Sequence, residues 1–299
     1  RLRQTIEGTF FFRRGFGDFL NMDIVAGMGL YLESYDGLSV YYENTNDQIG
    51  NDKIEIAEGP FYPSSYKGKN ERRSQFIRGN FDFGDRYVVT ATLRRDGTDK
   101  FFPGKKYGLF PSVSLAWKIS NESFLEDVSW INLLKLRASY GLTGRDNLGT
   151  SLYGLYKVSD GNYVKFDSNS TQYVPFILSG RDYDDVTWEK TSMKNIGLDF
   201  SILKDRIWGS FDLYRYDETD MLSYDMESWI GMFGKRPVNG GHYKRIGFDI
   251  SLNTMNVKDS NFQWTSVLNL SRYQSVWVNR VDNYDYKIYQ RRKNEPRSH

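Results

Sequence analysis

The segment LRRDGTDKFFPGKKYGLFPSVSLAWKIS, residues 93–120, sets two alternating runs on either side of a wet, basic, glycine-containing stretch. Val113, Leu115, Trp117 and Ile119 alternate there with Ser112, Ser114 and Lys118. A period of two places successive side chains on opposite sides of a strand. A half-buried sheet in water and the wall of a membrane barrel both read this way. The choice rests on how far the pattern extends and how its runs are joined.

The pattern extends along most of the chain. Leu20, Met22, Ile24, Ala26, Met28, Leu30 and Leu32 share one face, with Asn21, Asp23, Gly27 and Gly29 on the other. Ile77, Phe81 and Phe83 oppose Arg78, Asn80 and Asp82, and Tyr87, Val89, Ala91 and Leu93 oppose Thr90, Thr92 and Arg94. The same alternation puts Leu134, Leu136, Ala138, Tyr140 and Leu142 against Lys135, Arg137 and Ser139. It recurs at Ile196–Ile202 and Ile246–Leu252, and less cleanly over 207–216 and 262–272. With residues 2–12 this gives roughly ten strands, most about ten residues long, the length a tilted strand needs to cross a bilayer.

The joining segments alternate between short and long. Arg13–Asp18, Gly84–Arg86, Lys204–Asp205 and Met255–Asn261 are short, whereas Ser34–Lys69, Gly97–Tyr107, Thr143–Glu189 and Thr219–Gly240 are long. In an up-and-down sheet alternate connections lie at the same end. One end therefore carries tight turns and the other large loops, as in outer-membrane barrels. Pro103 and Gly104 are expected at the tip of one loop. SNESFLEDVSW, residues 120–130, is intermediate and predicts a small capped turn. A soluble β-sandwich would have shorter strands and similar turns at both ends.

Composition narrows the function. Forty basic and 38 acidic residues leave a formal net charge of +2, too little for a field that gathers nucleic acid. There is no cysteine, so disulfides, thiolate metal sites and cysteine nucleophiles are absent. No apolar run reaches the length of about eighteen residues that a transmembrane helix needs. Aromatic residues make up 16% of the chain, including 22 Tyr, which suits strands, sugar-binding surfaces or membrane-interface belts. Trp117, Trp130, Tyr140 and Trp208 lie near strand ends, where such belts are expected. The start at Arg1-Leu2-Arg3, inside a pattern, leads us to expect a piece of a longer polypeptide.

Several linked motifs then carry a resemblance. YVVTATLRRDGTDKF…YGLFPSVSLAW (87–117), WINLLKLRASYGLTG (130–144) and DVTWEKTSMKNIGLDFSIL (185–203) resemble the barrel of SusC-like TonB-dependent transporters of Bacteroidetes outer membranes, as do RIWGSFDLYRYDETDML (206–222) and KRIGFDISL…FQWTSVLNLS (244–271). The resemblance implies an all-β, transmembrane, antiparallel up-and-down barrel of about 22 strands in the full protein, roughly ten of them here. It implies residues 1–274 as barrel with long extracellular loops, 275–299 as a loop or unassigned end, and a plug domain outside this sequence. Its implied function is TonB-dependent import of a nutrient, an oligosaccharide first and a peptide second. The implied partners are a SusD-like surface lipoprotein, the TonB-ExbB-ExbD system and outer-membrane lipid. A competing role is a barrel serving as scaffold in a cell-surface assembly.

No catalytic constellation emerges and no cofactor is expected. His242 and His299 are the only histidines, and neither has a triad around it in sequence. Asp182, Asp184 and Asp185, and the Asn44–Asp52 segment, hold enough oxygens to consider a hard cation, but a solvated loop is the simpler reading. Loop aromatics Tyr35, Tyr41, Tyr42, Tyr153, Tyr156, Tyr163, Tyr183 and Trp229 are candidates to face substrate or partner. Strand parity puts Arg94, Lys118, Lys135 and Arg137 on the polar face, toward lumen or plug.

Overall fold

The computed structural model describes residues 1–42, 61–148, 152–154, 156–158, 176–178, 182–226 and 235–281. Ten strands form one antiparallel sheet: β1 (Leu2–Phe16), β2 (Leu20–Tyr42), β3 (Phe61–Phe83), β4 (Tyr87–Thr98), β5 (Tyr107–Lys118), β6 (Ile131–Arg145), β9 (Glu189–Ile202), β10 (Ile207–Thr219), β13 (His242–Lys258) and β14 (Gln263–Asn279). Their order in the sheet is their order in the chain. Two small hairpins, β7 (Tyr156–Val158) with β8 (Phe176–Leu178) and β11 (Leu222–Met226) with β12 (Lys235–Asn239), belong to the long connections.

Register turns local alternation into two continuous faces. One row of directly paired residues runs Met22, Phe81, Val89, Leu115, Ala138, Ile196, Leu213, Phe248 across eight strands. The neighbouring row, one residue along, runs Asp23, Asn80, Thr90, Ser114, Ser139, Asn195, Tyr214. A slip of one residue at any strand would exchange these faces. Water does not suit the first one: Phe10, Met28, Ile196 and Leu268 are 58–66% exposed, and no second layer covers them among the described residues. A sheet that leaves such a face bare needs a surrounding apolar medium.

The short and long connections fall at opposite ends, as expected. Turns at 17–19, 84–86, 203–206 and 259–262 alternate with the long segments. The 119–130 connection belongs to the short end and contains two 3-10 turns, Ile119–Asn121 and Ser123–Leu125. The expected capping does not form; neither turn has a side-chain cap. Glu122 instead accepts hydrogen bonds from the Tyr87 hydroxyl (2.7 Å) and the Trp117 indole N–H (2.9 Å), whose rings stack at 6.3 Å. Asn121 donates to the Asp85 carbonyl at 2.8 Å and so ties this connection to the neighbouring turn.

Pro103 and Gly104 do form the loop tip. Lys105 N–H donates to the Phe102 carbonyl at 2.9 Å, and Gly104 has φ +89°, the left-handed third position of a type II turn. Ser34–Lys69 departs from expectation, because residues 34–42 and 61–69 are paired strand. Side-chain alternation fades there, yet the ladder continues from Ser34↔Lys69 to Tyr42↔Phe61, past the ends of β1 and β4. Likewise β14 runs beyond residue 274 to Asn279.

The buried core is small and sits at the long-loop end. The β5–β6 ladder stops at Ser112↔Gly141, and beyond it Phe101, Phe110, Leu152, Tyr183, Val186 and Trp188 pack together. Phe101 and Phe110 each lie 5.5 Å from the Trp188 ring. The Trp188 indole N–H donates to the Lys106 carbonyl at 3.2 Å, so the buried ring keeps its polar partner.

Candidate functional site: the polar face and the loop end

Lys135, Arg137 and Asp199 converge on the polar face because the register stacks β6 on β9 with Lys135 opposite Asp199. Lys135 Nζ lies 2.8 Å from Asp199. Arg137 donates to the same carboxylate from Nε (2.9 Å) and Nη2 (2.7 Å), the bidentate geometry that a guanidinium favours. It then reaches over β9 to Asp212 on β10, at 3.2 Å. Gly197 lies between them, and a Cβ there would come within 2.4 Å of Asp212 Oδ1 and 2.8 Å of Arg137 Nη2. A larger residue there would push the Arg137 and Asp212 side chains apart.

Lys118 is tied to Asp85 and lies 3.6 Å from Asp82, at the short-turn end. Arg94 is nearer the loops and bonds Asp96 through Nε at 2.7 and 2.9 Å. The four basic residues singled out from sequence thus share one face but form three groups, each already neutralised by carboxylates. Around Arg94 the chain leaves a cavity of about 560 Å³ lined by Tyr31, Arg72, Ser74, Asp96, Asp146 and Trp188 among others. Arg72 pairs with Asp146 at 2.9 Å, while the buried hydroxyl of Ser74 has no partner among the described residues.

The loop aromatics separate. Tyr183 is corrected from a solvent-facing candidate to a core residue: it is 7% exposed and packed with Phe101 and Trp188. Its backbone N–H bonds the Leu152 carbonyl at 2.9 Å, which welds two loop segments. Tyr153 stacks on Phe102 at 4.3 Å and donates to the Phe101 carbonyl, yet keeps an open face. Tyr35 pairs with Tyr66, ring centres 6.5 Å apart, on the β2–β3 extension, and Tyr41 is exposed further out. Tyr163 and Trp229 lie outside the described residues, as do the side chains of Tyr42 and Tyr156, His299 and the Asn44–Asp52 segment. Asp182 accepts the Gly154 N–H at 2.7 Å, a loop-bracing role. His242 rests 3.3 Å from Asp217, which Arg215 also holds.

Trp208 is a second correction. Its partner in β9 is Ser201, so its indole is on the polar face and not in an outward belt. Trp117 pairs with Tyr87 and Leu136 on the apolar face and does match a belt position. Sequence reasoning also missed a tyrosine group on the polar face of β10. Tyr214 and Tyr216 stack at 5.1 Å, and Tyr273 two strands away lies under the Arg245 guanidinium at 5.1 Å. The signal was the blurred alternation over 207–216, where aromatic residues occupy the polar parity.

An up-and-down sheet with one bare apolar face, one charged and aromatic face, and large loops at one end defines an outer-membrane β-barrel wall. Residues 3–296 match the family model described as TonB dependent receptor-like, beta-barrel, and the chain belongs to that family. It is 32% identical over 227 residues to TonB-dependent receptor P3 of Formosa agariphila, covering 76% of this chain and 22% of that protein. It is also 32% identical over 211 residues to TonB-dependent receptor SusC of Bacteroides thetaiotaomicron, covering 70% of this chain and 21% of SusC. Its fold superposes on a chain of the structure titled RagAB peptide transporter with a TM-score of 0.81 at 19% identity, covering 98% of this chain and 33% of that one. The chain thus spans little more than a fifth of these curated relatives and is part of a SusC-like barrel in a bacterial outer membrane.

Proposed function

We propose that the protein containing this wall imports a nutrient across the outer membrane by TonB-driven gating, with an oligosaccharide as cargo and a SusD-like lipoprotein closing over the loops. The observation that carries the reading is the polar face. It offers an ion network fixed to the wall, suited to holding a plug, and beside it stacked Tyr214 and Tyr216, suited to the flat faces of sugar rings. Transport of this kind uses binding and gated passage with no covalent chemistry.

In this reading Lys135 and Arg137 grip the plug, Arg94 faces the entrance above it, and Tyr35, Tyr41 and Tyr153 meet cargo or lid. Peptide cargo is the second reading, supported by the fold similarity to a peptide transporter. The test is uptake of fluorescent oligosaccharides and peptides, side by side, by cells carrying the full-length protein. Arg94→Glu with Arg137→Glu should reduce uptake at least about tenfold or loosen the plug toward protease, since like-charge contacts replace paired ones. Unchanged uptake and plug retention would remove these residues from the path. Uptake that persists without TonB, or stable copurification with secreted assembly components in place of a SusD-like lipoprotein, would favour the scaffold role.

A further inference from the structure

On three strands the apolar face ends on a cation. Counting from the short-turn end, Tyr87 to Arg95 on β4, Ile202 to Lys194 on β9 and Ile207 to Arg215 on β10 are each eight residues apart, all outward by parity. Eight residues span about 26 Å along a strand, close to the height of about 25 Å of a barrel's apolar band before tilt is allowed for. The cations therefore stand where the loop-side leaflet meets its headgroups.

Lys194 and Arg215 are directly paired across β9 and β10. Like charges directly opposite each other on a sheet repel. Arg215 is relieved by a bidentate bond to Asp217, at 2.7 and 2.8 Å, which also takes His242. Lys194 is exposed and has no carboxylate partner among the described residues. A groove of about 570 Å³ adjoins the pair: Val113, Tyr140 and Ile246 stand in the register row of Lys194 and Arg215, and Leu115, Ala138, Ile196 and Leu213 form the next row toward the membrane centre. Ala138 is the small residue in a row of large ones, and it makes the depression.

We propose that this groove and the Lys194–Arg215 pair form a binding site for one phosphorylated acyl glycolipid of the outer leaflet. One acyl chain lies in the groove, and the headgroup phosphate accepts from Lys194 Nζ and from the side of the Arg215 guanidinium not used by Asp217. An anion there removes the like-charge repulsion, and the acyl chain replaces the side chain that Ala138 lacks. A zwitterionic lipid satisfies the groove but not the cations, so charge complementarity selects the occupant.

The test is lipid retention by the full-length protein in mild detergent, read by native mass spectrometry, with lipid A and its dephosphorylated form as probes. Wild type should retain lipid A at least about fivefold over the dephosphorylated form, as about one basic residue at a headgroup provides. Lys194→Gln should remove that preference and Lys194→Arg should keep it. Ala138→Phe should weaken both lipids, with heat-modifiable migration confirming a folded barrel. Equal retention of the two lipids by wild type would overturn the proposal without any variant. So would full preference in Lys194→Gln, or displacement of lipid A by millimolar inorganic phosphate alone, which would mark a simple ion site.

Discussion

Glu122 shows how much one carboxylate can organise at the residue scale. The Tyr87 hydroxyl and Trp117 indole donate to it, with Arg86 at 3.6 Å, and together they hold its carboxyl below the ordinary carboxylate value. The folded state therefore prefers the ionised form. Its stabilisation is complete above the ordinary carboxylate pKa and is lost as pH falls through the lowered one. Acid should loosen the Tyr87–Trp117 clamp, and Glu122→Gln should flatten that dependence; the Trp117 indole N–H resonance, followed through an acid titration, reads both. Gly197 makes a second residue-scale case. A double-mutant cycle of Arg137→Ala with Asp212→Ala should give a coupling of about 0.5–1 kcal/mol, modest because both groups are partly solvated. On a Gly197→Ala background the coupling should vanish, since a methyl group occupies the crossing point. Equilibrium unfolding in urea measures each corner.

At the scale of elements, the hairpin turns follow the chain's own signals more closely than the long connections do. Gly84–Arg86 and the Pro103-Gly104 tip are local: a few residues with special φ preferences decide them. The 203–206 turn is less comfortable, with Leu203, Lys204 and Asp205 all left-handed at φ +56° to +59°. Ser201 and Asn132 hold it through Asp205, at 2.6 and 3.3 Å. Lys204→Gly should raise stability by on the order of 0.5 kcal/mol, the left-handed penalty of about 1 kcal/mol less the entropy of about 0.5 kcal/mol that glycine adds to the unfolded chain. A lower urea midpoint would show that the lysine side chain contributes more than its backbone costs. The paired residues 34–42 and 61–69 escaped sequence reading because backbone pairing needs no alternation once a neighbouring ladder extends it. Trp208 was misread for a related reason, since proximity to a strand end says nothing about which face a ring takes.

At the scale of the whole molecule, the central claim is that hydrocarbon covers the apolar face. Val113 and Ser114 are adjacent in β5, one on each face. In the full-length barrel folded into phospholipid vesicles, Val113→Arg should cost about 2–4 kcal/mol, as a cation near the bilayer midplane does. Ser114→Arg, turned toward the polar face, should cost about 1 kcal/mol or less. Equal costs would mean that the two faces do not meet different media. The same partition explains why burial in this chain is so meagre. Among the described residues the buried cluster is a patch of six at the loop end, with Tyr243 buried apart from it, and the greasy majority is reserved for lipid.

From the sequence alone came the strand count, the alternation of short and long connections, the two-faced character of each strand and the family motifs. All of these are local, because period two and turn chemistry act over a few residues. The tertiary structure decided which residues meet. It brought Arg137 to Asp212 through the gap at Gly197, set Tyr214 against Tyr216 on the polar face, buried Tyr183, and placed Lys194 opposite Arg215. Those contacts depend on register between strands distant in the chain, and register is fixed by the sheet as a whole, not by any one strand.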